Sequence, residues 1–119
     1  MIGSTRAIRV WARRVPTDLR SGYNGLYGIV VREFHRDPLD GDAFLFLNRR
    51  RKSTKVLLWD GTGLCIYSKV LAKDTFSNLF GNDVNAPLCM TTAELALFLE
   101  GADLAKKLPI SPDIFRLQR

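Results

Sequence analysis

The sequence predicts an α+β fold, an antiparallel meander of three or four strands packed against one long N-terminal helix and a shorter C-terminal helix. Three observations lead there. Apolar residues recur at helical spacing through Leu19, Tyr23, Leu26, Tyr27, Val30, Val31 and Phe34. Three strand-like runs follow, about Ala43–Leu47, Lys55–Trp59 and Leu64–Leu71, separated by turn-forming residues. Near the C-terminus, Thr91-Thr92-Ala93-Glu94 has the spacing of a helix capping box ahead of Leu95, Leu97, Phe98 and Leu99.

Taken in order, Ala7 to Val15 reads as a short edge strand, with Ile8, Val10 and Ala12 on one side and Arg9, Trp11 and Arg13 on the other. Its arginines would discourage edge-to-edge pairing. After Pro16, Thr17 or Asp18 is placed to cap a helix running to Arg36, by accepting from free N–H groups of the first turn. Gly22, Gly25 and Gly28 interrupt that helix, each at about 1 kcal/mol against Ala. They imply either close approach of another backbone or a helix imposed by tertiary packing. Asp37-Pro38 stops it, and Gly41 is free to take positive φ. The Ala43–Leu47 strand is apolar on both faces, so the long helix covers one and the C-terminal helix or another chain covers the other. Asp60-Gly61-Thr62-Gly63 turns the chain between the next two strands, Trp59 closing the first of them. Thr75–Leu79 reads as a last short strand, 81–87 as loop, and Gly101 as the residue closing the C-terminal helix.

The length of 119 residues and 46% apolar content suit one folded domain, here residues 1–104 with a loosely held tail, 105–119. Two isolated cysteines, Cys65 and Cys89, do not make a disulfide scaffold and are expected to be reduced core or boundary residues. No leader-like or membrane-spanning apolar run is visible, which implies a cytoplasmic protein.

Net charge is +6, unevenly spread. Through Thr75 there are fourteen Lys and Arg against seven Asp and Glu; beyond it, four against five. The densest run, Arg49-Arg50-Arg51-Lys52 followed by Lys55, lies between two apolar strands. Adjacent cations repel, and a hairpin tip puts them where water or an anion screens them. With Arg9, Arg13, Arg14 and Arg20, this run is the candidate surface for the phosphate backbone of nucleic acid.

Other chemistry is less well supported. Asp18, Asp37, Asp40, Asp42 and Asp60 could in principle hold metal ions for phosphodiester cleavage, but each sits where a turn or helix start needs a carboxylate. His35, the single histidine, falls at a helix end and reads as a cap. No catalytic residue, metal or cofactor is expected.

An ordered series of motifs carries a resemblance. It comprises Arg9-Val10-Trp11, Thr17-Asp18-Leu19-Arg20-x-Gly22-x-Asn24-Gly25-Leu26, Asp37-Pro38-x-x-Gly41, Phe44-x-Phe46, Lys55-Val56-Leu57-x-Trp59-Asp60-Gly61-x-Gly63-Leu64, and Lys69. It resembles the small TnpB-type accessory protein of bacterial insertion sequences of the sixty-six family, over roughly Arg6 to Phe76, with an echo in Leu95–Asp103. Where that family continues with a Gly and a Phe-x-Trp-Pro run, this chain has Lys73-Asp74-Thr75-Phe76-Ser77-Asn78-Leu79. The resemblance implies a non-catalytic accessory role in transposition beside a separate transposase. Two expectations follow: DNA binding through the basic hairpin, or a protein-interaction module that docks on the transposase or self-associates.

Overall fold

The computed structural model describes residues 7–81 and 86–101. Its elements are β1 (Val10–Ala12), α1 (Tyr23–Ile29) continued by a π-helical turn (Val30–Phe34), β2 (Ala43–Leu47), β3 (Ser53–Trp59), β4 (Leu64–Val70), β5 (Leu88–Met90) and α2 (Thr92–Leu99). The five strands form one mixed sheet in the order β4-β3-β2-β1-β5. The fold is α+β as expected. It is not a pure meander, because β1 pairs parallel to β2, Val10 facing Ala43 and Ala12 facing Leu45. The intervening α1 carries the chain back to the starting end of the sheet, and such a crossover makes the strands it joins parallel.

β1 is not an edge. β5 flanks it, antiparallel, with Trp11 opposite Cys89. β5 takes the place given to Thr75–Leu79, which is not a strand. Phe76 and Leu79 from that segment are instead buried against the sheet. An isolated Leu88-Cys89-Met90 carries too little alternation to be read as a strand; its pairing with β1 supplies the order.

The N-terminal helix is also shorter than its apolar stripe. The Thr17 N–H bonds the Leu47 carbonyl at 2.9 Å, so this residue extends the sheet rather than capping a helix. Asp18 to Ser21 then turns, and α1 starts after Gly22, which has no side-chain cap. The helix ends at His35, which adopts left-handed backbone (φ 54°) while its N–H bonds the Val30 carbonyl. His35 thus caps through its backbone, two residues ahead of Asp37-Pro38. For none of the three helix glycines is foreign backbone the nearest neighbour: Gly22 faces open space, a Cβ at Gly25 would meet only the Ser21 side chain, and the atoms nearest one at Gly28 belong to the Arg32 side chain.

Both faces of β2 are buried, for two separate reasons. On one, Leu26, Ile29, Val30 and Phe34 pack on Phe44, Phe46 and Leu57. On the other, Val10, Ala12, Leu45, Leu47 and Val56 meet Phe76, Leu79, Met90 and Phe98. Phe76 and Phe98 stack at 5.0 Å, worth about 0.5–1.5 kcal/mol beyond their buried area. The second face is therefore covered from within the chain. The capping box of α2 forms with both arms, Thr91 Oγ1 accepting from the Glu94 N–H and Glu94 Oε1 from the Thr91 N–H. Gly101 follows at φ 77°. Residues 1–6 and the expected tail, 105–119, lie outside the described residues.

Candidate nucleic-acid interface

The cationic run folds as the β2–β3 hairpin tip. Asn48 organises it: its carbonyl accepts from the Arg51 N–H at 3.0 Å, and its side-chain oxygen accepts from the Lys52 and Ser53 N–H groups at 3.0 and 3.1 Å. An asparagine in front of a polar run suits the first position of a turn, and that signal was open to sequence reading. Arg51 closes the turn in left-handed backbone, φ 59°, where a non-glycine residue costs about 1–2 kcal/mol. Two outside contacts hold it there. Its Nη1 donates to the Phe76 carbonyl at 2.8 Å, and its own carbonyl accepts from the Phe76 N–H at 2.7 Å. Lys52 is held likewise, its Nζ on the Asp74 carbonyl at 3.0 Å and its carbonyl on the Leu71 N–H at 2.8 Å. Segment 71–76 thus braces the tip.

Arg49 and Arg50 differ from these two. Both are exposed, and neither makes a hydrogen bond or ion pair among the described residues. They line a groove of about 760 Å³ with Arg20, Lys55, Asp18, Leu19, Asn48, Ser53, Ser68 and Val70 among its other walls. Lys55 reaches from β3 to the Ser21 carbonyl at 3.4 Å, which joins the hairpin to the Asp18–Ser21 turn. Arg20 is paired with Asp18 in that turn at 2.6 Å. The Arg20 guanidinium and N–H hold the Asp18 carboxyl down to about 2, so the pair is fully ionised at neutral pH. Both partners are largely solvated, and a pair of this kind is worth little and exchanges readily for another anion.

Four of the nine expected contact residues, Arg20, Arg49, Arg50 and Lys55, thus meet at one groove, while the Arg51 and Lys52 side chains of the same tip are bonded to segment 71–76. Arg9, Arg13 and Arg14 do not line it, although Arg13 stands behind the wall formed by Pro16 and Thr17. Arg9 precedes β1, beside Ala43, at the opposite end of β2 from the tip. Arg13 makes a bidentate pair with Glu33 at 2.6 and 2.8 Å and donates to Thr17 Oγ1 at 3.2 Å. Arg14 lies over Gly81 and donates to the Leu79 carbonyl at 3.3 Å. The helix supplied Glu33, a partner that no sequence spacing points to. Asn48, Ser53 and Ser68 are groove residues the sequence reading missed.

The five candidate carboxylates all have structural partners, local for Asp18, Asp37, Asp40 and Asp60 and across strands for Asp42. Asp60 Oδ1 accepts from the Thr62 and Gly63 N–H groups at 2.8 and 2.9 Å, with Gly61 at φ 103°, and these bonds lower its carboxyl to about 2. Asp37 accepts from the Leu39 N–H and Asp40 from the Asp42 N–H, Pro38 being buried and Gly41 at φ 95°. Asp42 accepts from the Arg9 N–H and the Trp11 indole at 3.2 and 3.0 Å, tying β1 to β2. Arg36 stacks on that indole at 3.5 Å. Among the described residues no three His, Cys, Asp or Glu side chains converge as metal ligands would. Cys65 and Cys89 are free and exposed rather than core. Lost hydration, and for Cys65 the neighbouring Asp60 carboxylate, push their thiols up, away from the reactive thiolate. No helix among the described residues is long and apolar enough to cross a membrane.

No solved structure matches the chain. Two curated relatives from Sinorhizobium fredii do. The uncharacterized protein y4jC is 33% identical over 103 residues, covering 87% of this chain and 86% of that one. The uncharacterized protein y4hO is 31% identical over 103 residues, covering 87% and 88%. The model of the IS66 Orf2-like proteins, a family of accessory proteins associated with insertion sequences, matches residues 8–108. With hairpin, glycine turns and capped C-terminal helix all inside that span, the chain belongs to the IS66 Orf2-like family.

Proposed function

We propose that this protein is a non-enzymatic accessory factor of transposition that grips the DNA backbone through its basic groove while a separate transposase does the chemistry. One observation carries the reading: Arg49 and Arg50 stand unpaired, among the described residues, at a braced tip, facing a groove that also takes in Arg20 and Lys55. Unneutralised cations on a fixed frame are what a polyanion binds, by displacing condensed counterions. The groove walls bring hydroxyl and amide groups (Ser53, Ser68, Asn48) and no aromatic ring. Bases therefore have no stacking platform there, which favours phosphate contact without sequence readout.

The test is a salt-titrated binding assay with element-end DNA and with random duplex of equal length. Both should bind, with similar affinity, and binding should fall steeply with salt. Replacing Arg49 and Arg50 together by Glu should weaken binding at least tenfold. It should also reduce the salt slope by about 2, roughly 0.9 for each phosphate that the protein no longer neutralises. Unchanged affinity and slope in the double variant would reject the groove. Arg9→Glu, at the far end of the sheet, should leave the slope nearly unchanged.

A further inference from the structure

A second surface is the outer edge of β4. This strand is a terminal one in the sheet, seven residues long, against three for β5 at the other edge. Its pairing with β3 determines which backbone groups face out. The Asp60 N–H bonds the Gly63 carbonyl and the Leu71 N–H bonds the Lys52 carbonyl, so the odd-numbered residues of β4 spend their N–H and C=O on β3. Leu64, Ile66, Ser68 and Val70 present theirs outward, and no strand among the described residues pairs with them.

Natural edges of this length are normally blunted by proline, a bulge or an outward lysine. β4 has no proline, and its register with β3 runs without a bulge from Leu64 to Val70. Its one lysine is withdrawn: Lys69 Nζ donates to the Leu99 carbonyl at the end of α2, 2.6 Å away. Two large side chains of the same strand are left in solvent, Tyr67 at 51% and Val70 at 69% exposed.

We infer that β4 pairs antiparallel with β4 of a second copy, joining two five-stranded sheets into one. The strand is complementary to itself in one register, with Tyr67 on the two-fold axis. Leu64 then faces Val70 of the other copy and Ile66 faces Ser68, so all four outward-facing residues gain hydrogen-bonded partners. Tyr67 meets Tyr67 in a non-hydrogen-bonded pair, where side chains sit closest. Lys69 faces Cys65, so no like charges oppose. Shifting the register by two leaves either Val70 or Leu64 opposite a turn. This inference rests on the strand alone and not on the groove.

Light scattering after size exclusion, or sedimentation equilibrium, on the full chain tests it. The wild type should have the mass of a dimer at tens of micromolar. Ser68→Pro removes only an outward N–H, which an edge strand tolerates, and should shift the protein to monomer. Tyr67→Lys puts like charges on the axis and should do the same, and it keeps the test alive if the proline variant fails to fold. Tyr67→Cys, in a Cys65→Ser, Cys89→Ser background, should oxidise to a covalent dimer, since Cα atoms about 4.5 Å apart suit a disulfide. A monomeric wild type, whether its edge is covered by its own C-terminal residues or awaits another protein, overturns the inference. So does a dimer that survives both substitutions.

Discussion

At the scale of single residues, two positions show how backbone geometry and charge combine. Arg51 is held at φ 59° by its contacts to Phe76. Glycine would remove the conformational cost but not replace the guanidinium bond; alanine would lose the bond and keep the cost. Arg51→Ala should therefore be less stable than Arg51→Gly by about 1 kcal/mol, with both below wild type, as read by urea denaturation. The order reverses if the turn relaxes out of the left-handed region. Asp60 sets a pH dependence. Its carboxyl is lowered to about 2 by the Thr62 and Gly63 N–H groups, below the ~3.9 of an unfolded chain. A lowered folded-state pKa means that this contribution is complete above about pH 4 and is lost as pH falls through about 2. The stability gap between wild type and Asp60→Ala should therefore narrow across that window. Asp18, lowered to about 2 by Arg20, titrates in the same range and remains in both proteins, so the comparison isolates Asp60.

At the scale of elements, what was legible is what short-range chemistry decides. β2 falls on Ala43–Leu47 because five apolar residues are bounded by turn formers on both sides. The Asp60–Gly63 turn and the Thr91–Glu94 capping box are local hydrogen-bond patterns, and both form as read. Thr91→Ala should accordingly cost about 1 kcal/mol of stability. What was illegible depended on distant partners. The apolar stripe beginning at Leu19 is helical in spacing, yet Leu47 claims the Thr17 N–H and the helix starts only at Tyr23. β5 exists because β1 has an open side for it, and nothing within three residues announces that. The helix glycines are the instructive case. At Gly28 the three atoms nearest an added Cβ all belong to the exposed, flexible Arg32 side chain. Gly28→Ala should then stabilise the protein by up to about 1 kcal/mol, the ordinary helix-propensity gain, in thermal or urea unfolding. A loss of stability instead would mean that Arg32 cannot yield.

At the scale of the whole molecule, the charge surplus of the first two thirds divides into structural and available parts, a division that composition does not contain. Glu33 neutralises Arg13, carbonyl groups take Arg14, Arg51 and Lys52, and Arg36 lies on Trp11. The groove gathers four cations, Arg20, Arg49, Arg50 and Lys55, and among the described residues Arg49 and Arg50 make no hydrogen bond or ion pair. Spacing along the chain identified the hairpin but not the turn at Arg20, which only the fold brings to it. The proposed β4 pairing makes a prediction that joins the two surfaces. The two-fold axis of an antiparallel strand pair is perpendicular to the sheet, so both grooves would open on the same face. With Tyr67 on the axis, the two Val70 positions, each on a groove wall, lie six residues apart along the strands, or roughly 20 Å. One duplex could then touch both. Four cations per groove give a salt slope of about −3.6 for one groove and about twice that for two. Tyr67→Lys, although it adds a positive charge, should therefore roughly halve the slope measured on a duplex long enough for both grooves, while on a duplex spanning one groove the two proteins should agree. Equal slopes on the long duplex, with the variant monomeric, would mean that each copy binds DNA alone and that the pairing serves another contact.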